Sequence, residues 1–114
     1  MEILDRHISE AEETLSAAAG SASLCTVSRS GTPMPGVKYP EGAWVALRDV
    51  RRAAAPTGDI GAAVDALRAQ WATDLARRTK VGSGADWIAY LTGGLDALDE
   101  LADRLVSPGG LTER

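Results

Sequence analysis

The chain has 114 residues, a net charge of −4, 45% hydrophobic and 25% charged residues. Those proportions belong to one globular domain with a single core, and they exclude wholesale disorder. No apolar run approaches the roughly 20 residues that cross a bilayer. Met1-Glu2-Ile3-Leu4-Asp5-Arg6 is too acidic for a secretory leader, so a cytoplasmic protein is expected. The single cysteine excludes an internal disulfide and a cysteine-rich zinc site.

Ten of the twelve basic residues are arginine, and alanine is abundant, a bias that fits a GC-rich bacterial genome. With no phenylalanine, the large apolar anchors are Trp44, Trp71, Trp87, Tyr39 and Tyr90. Charge falls in blocks. Residues 1–28 and 81–114 each carry −4, and residues 29–80 carry +4. An acidic–basic–acidic layout suits terminal helices lying against middle ones, or subunits docking through opposite faces. Each exposed pair contributes only about 0–1 kcal/mol, so the layout orients more than it stabilises.

The spacing of Leu4, Ile8, Ala11, Leu15 and Ala18 predicts a first helix over residues 2–19. Acidic residues crowd its early turns, where the helix dipole favours them. Residues 20–40 lack a helical period and hold three prolines and three glycines. They read either as an ordered, packed loop or as a small hairpin. In the hairpin, Leu24–Val27 would pair with Val37–Tyr39 across a Ser30-Gly31 turn.

Pro40, placed at the first helical position, opens a second helix over 40–55. Ala43, Leu47, Val50 and Ala54 form its stripe, with Trp44 beside it and Arg48, Arg51 and Arg52 opposite. Pro56 ends it. A third helix over 59–79 follows, capped by Thr57 or Asp59, with Ile60, Val64, Leu67, Trp71 and Leu75 facing inward. The fourth, over 84–106 with Ser83 as its cap, has the strongest pattern: Ile88, Leu91, Leu95, Leu98, Ala102 and Leu105. Gly93-Gly94 interrupts it, which implies a kink or a close crossing by another backbone. The expected fold is therefore all-α. It is an antiparallel four-helix bundle with a long Pro/Gly-containing connection between helices 1 and 2. Residues 1–107 form the domain and 108–114 a tail.

Chemistry-bearing motifs are sparse. Gly31 to Lys38 has the glycine spacing of a phosphate loop. However, Lys38 comes one residue late, Tyr39 replaces the magnesium-binding hydroxyl, and Pro33 and Pro35 remove backbone donors. Lys80-Val81-Gly82-Ser83-Gly84 can hold an anion at a helix start, but it reads more simply as a turn. His7 and Glu10 share a helical face, yet no second histidine completes a metal pair. Cys25 would act as a nucleophile only if His7 reached it.

The reading that remains is a non-enzymatic helical interaction or oligomerisation module without cofactor or metal. Its partner is a protein, with a homodimer as one form. Tryptophan and arginine are enriched at binding hot spots. The candidate contact residues are Trp44 or Trp87 with Leu91, Leu95 and Leu98, oriented by Arg48, Arg51 and Arg52. The alternative is a small nucleic-acid-associated regulator using those arginines. The overall acidity and the absence of a helix-turn-helix or aromatic platform weigh against it.

Overall fold

A computed structural model of the chain describes residues 2–20 and 25–106, with the side chains of residues 25, 26 and 35 left out. Four helices pack on one another: α1 (Glu2–Ala19), α2 (Lys38–Ala54), α3 (Ile60–Lys80) and α4 (Ala85–Val106). The short α2–α3 and α3–α4 turns reverse the chain, as the antiparallel reading requires. α4 packs most extensively on α2 and next on α3, while α1 lies on α2 and meets α4 only lightly. The tail expected over 108–114 lies outside the described residues.

The core is the sum of the inward stripes. Leu4, Leu47, Val50, Ala54, Val64, Trp71, Leu91, Leu98 and Leu101 are buried in one cluster. Leu101 is fully buried although it falls outside the simple alternating seam of α4. The helix is pressed by both α2 and α3, so its apolar face widens to take in Ala89, Gly93 and Gly94 as well.

Gly93-Gly94 resolves into two separate close approaches. A β-carbon on Gly93 would overlap the Tyr39 carbonyl of α2, and one on Gly42 would overlap the Tyr90 carbonyl of α4. The two helices thus cross backbone against backbone, at glycines contributed by both. At Gly94 the space is taken by the Trp71 indole, which a side chain there would displace.

The connection between α1 and α2 holds a short antiparallel hairpin, β1 (Cys25–Val27) with β2 (Pro33–Pro35). The first strand, over Cys25–Val27, and the turn are where the pattern put them, while Leu24 lies outside the described residues. The second strand is not, because Lys38 and Tyr39 have already entered α2. Two strands have only edges, so a proline N–H missing from the outer side costs no ladder bond. The Ser28 carbonyl accepts from Gly31 N–H at 2.9 Å, and Gly31 takes φ +91, a region that disfavours other residues.

Pro40 is the third residue of α2 and not the first. It is tolerated there because the first four N–H groups of a helix have no acceptor within it. Asp59 caps α3 by accepting from Ala62 N–H at 3.0 Å. α4 starts at Ala85, with the Gly84 carbonyl accepting from Ile88 N–H, so Ser83 lies one residue outside the cap position.

Candidate functional site

Two places on the surface combine shape with chemistry. The first is an aromatic face at the α3–α4 end of the bundle. Trp87 begins the second half-turn of α4 and is 49% exposed. Tyr90, one turn on, meets its ring edge-on at 5.9 Å and 80°. The Arg78 guanidinium at the end of α3 lies 4.4 Å from the indole centroid. Tyr90 in turn stacks on buried Trp71 at 5.6 Å. Burial raises the Tyr90 phenol above its ordinary value, with the nearby carboxylates of Glu41 and Asp49 adding to it. The exposed indole is therefore held in one orientation from two sides. Beside it opens a hollow whose wall includes Lys38, Glu41 and Asp86.

The other tryptophan is placed differently. Trp44 is half-buried, and its Nε1 is enclosed with no hydrogen-bond partner among the described residues. Arg48 covers its ring at 4.8 Å. Its polar edge points into protein, so Trp87 is the tryptophan presented outward.

The aliphatic contact residues need correction. Leu98 is 0% exposed and Leu91 is 6% exposed, so both are spent on the chain's own core and neither is free for a partner. Leu95 is partly buried and lines a shallow α3–α4 groove with Ala69 and Ala72. The arginines are occupied as well. Arg51 pairs with Asp5 of α1, and Arg52 with Asp49 at 3.1 Å. Arg68 reaches Asp99 at 2.9 Å, and Arg29 reaches Asp103 at 3.1 Å. The charge blocks thus meet as acid-on-base contacts between α1 and α2 and between α3 and α4.

No known protein family, curated protein or solved structure matches the chain. Function has to be read from the surface itself.

The second place is a cleft of about 410 Å³ where α1 and the hairpin meet the α2–α4 pair. Pro40, Ala43, Leu47 and Ala97 line its aliphatic side together with Gly93. His7, Glu10, Arg29, Tyr39, Asp96 and Glu100 stand around it. Asp96 is the hub. Its Oδ2 accepts from the Tyr39 hydroxyl at 2.7 Å and from the Arg29 backbone N–H at 3.0 Å. Burial first, and the bond to Asp96 second, push the Tyr39 phenol well above its ordinary value. His7 Nδ1 lies 3.0 Å from the Ile3 carbonyl. A carbonyl only accepts, so Nδ1 is the donor in this contact. No group of three or more His, Cys, Asp or Glu able to hold a metal occurs among the described residues. The side chain of Cys25 lies outside them.

Sequence reasoning missed this cleft. Its residues come from four elements, and only the place where the hairpin meets α4 brings Arg29, Tyr39 and Asp96 together.

Proposed function

We propose that the chain is a non-enzymatic protein-interaction module of the bacterial cytoplasm that docks through the Trp87 face. The observation that carries this reading is the half-exposed indole, fixed between Arg78 and Tyr90. A large amphipathic side chain already held in place loses little freedom on docking, which is how aromatic anchors come to dominate interfaces. Val81, at the α3–α4 turn, is a further exposed apolar side chain, at 70%. Lys38, Glu41 and Asp86 supply a polar border. The same face serves a second copy of the chain or a different protein. The arginine pairings leave the nucleic-acid reading with less support, because Arg51 and Arg52 are already neutralised by carboxylates.

The test is Trp87→Ala, a surface change expected to leave the fold intact. Sedimentation of the wild type gives self-association, and quantitative capture from the native host gives a heterotypic partner. The variant should weaken whichever association is found by about 2 kcal/mol, about thirtyfold. An association equally strong in Trp87→Ala and lost in an Arg48, Arg51 and Arg52 alanine variant would overturn the reading.

A further inference from the structure

We infer that the Trp87 face takes a second copy of this chain in a two-fold arrangement, with each copy's Trp87 indole entering the hollow beside the other's. The inference rests on the Trp87 docking reading and adds the identity of the partner. A two-fold contact joins one patch to itself, so the patch must carry both halves of every interaction. The first pair of halves is one of shape. An indole that is 49% exposed stands in the wall of a hollow of about 800 Å³, next to Tyr90. A projecting ring with a cavity beside it is a knob and a hole on one surface. A second copy turned about a two-fold axis offers the same two in reverse order. Arg78 and Tyr90 already hold the ring, so little rotamer freedom is lost when it enters.

The second pair is one of charge. The Arg78 guanidinium lies on the indole from α3 and has no ion pair among the described residues. Asp86 stands in the wall of the hollow, exposed, and likewise has no ion pair among them. When the ring of one copy enters the hollow of the other, the guanidinium carried on that ring comes to the other copy's Asp86. The axis then repeats the pair. Lys38 and Glu41 in the same wall are 3.2 Å apart and add no net charge. The opposite holds on the outer face of α1. There Glu2, Glu10, Glu12 and Glu13 are exposed and have no ion pair among the described residues, with only Arg6 beside them. Two such faces repel, which directs an acidic chain to meet its copy at the Trp87 end. A different protein needs only one half of each pair. The presence of both halves on one patch is what selects a second copy.

Sedimentation of the full chain over a range of concentrations tests this. A monomer–dimer equilibrium that stops at two copies is expected, weakening as salt is added. Asp86→Lys and Arg78→Asp should each weaken it by about tenfold or more, because each sets like charges against one another in both symmetry-related contacts. Mixing the two variants should restore the association as a one-to-one heterodimer, since every contact in the mixed pair again joins opposite charges. Misfolding of either variant cannot give that rescue. Adding Trp87→Ala to both variants should abolish it. A wild type that stays monomeric at millimolar concentration, growth beyond two copies, or a mixture no stronger than its separate variants would each overturn the inference. A monomer whose capture of a host protein is still lost in Trp87→Ala excludes the second copy and leaves the docking reading in place. A dimer equally strong in Trp87→Ala excludes both.

Discussion

The crossing of α2 with α4 and the corner where the hairpin meets α4 are close together and are held in opposite ways. At the crossing, contact is made by backbone. Gly42 and Gly93 contribute no side chain, and the Tyr39 and Tyr90 carbonyls occupy the space where β-carbons would be. At the corner, contact is made by one carboxylate. Asp96 gathers a phenol and a backbone N–H from two elements, and Asp103 adds the Arg29 guanidinium. A packed backbone has no rotamer to yield, whereas an exposed polar tie has water as a substitute for either partner. The first arrangement sets where the helices lie. The second fixes a loop to them.

The comparison is broken most severely by adding one methyl group. Gly42→Ala or Gly93→Ala should lower stability by about 3 kcal/mol or prevent folding, because the backbones must separate to admit the β-carbon. Urea unfolding followed by circular dichroism measures it. Gly61→Ala is the control. That glycine is exposed near the start of α3 with room for a β-carbon, and the change should stabilise by about 0.5–1 kcal/mol. A mild effect at Gly93 would mean that the crossing is looser than described.

The corner responds less. Tyr39→Phe removes the hydroxyl bonded to Asp96 and should cost about 1 kcal/mol. It should also alter the alkaline limb. The folded phenol holds its proton beyond the ordinary value of 10.0, so the unfolded chain loses that proton first. Stability is then fully present below the ordinary value and falls as pH rises above it. Tyr39→Phe should flatten that fall in part, the remainder belonging to Tyr90, which is raised in the same direction. Urea midpoints taken from about pH 9 upward test this. Arg29→Ala should have the smallest effect. Its guanidinium is solvent-exposed and its backbone N–H remains on Asp96. The global midpoint should hardly move, while amide exchange over Ser28–Thr32 quickens.

The helices were legible because their stripes are long and their ends are punctuated. Leu4 to Ala18 in α1 and Leu91 to Leu105 in α4 repeat at helical spacing over several turns, and Pro56 and Gly82 mark boundaries. The second strand was not legible. Val37 and Tyr39 have strand-like side chains, but packing of Tyr39 and Pro40 into the α2–α4 contact overrides that local preference. Periodicity also misassigned Leu91 and Leu98 as partner residues. It marks a face as apolar without telling whether the chain's own helices cover it. Trp87 carried no sequence signal that set it apart from Trp44. What separates them is that one indole edge is enclosed and the other ring faces outward. The cleft was invisible for a simpler reason: Glu10 and Glu100 are ninety residues apart.

Trp71, Tyr90 and Trp87 form a continuous row of rings, 5.6 Å and then 5.9 Å between centres, running from the interior to solvent. In a chain with five aromatic side chains, this row holds most of the ultraviolet chromophores in electronic contact. The near-ultraviolet dichroism of the native state is therefore largely a signature of one seam, where α3 meets α4. A molecule that settles on the outer indole perturbs the optical transitions of the innermost one without touching it.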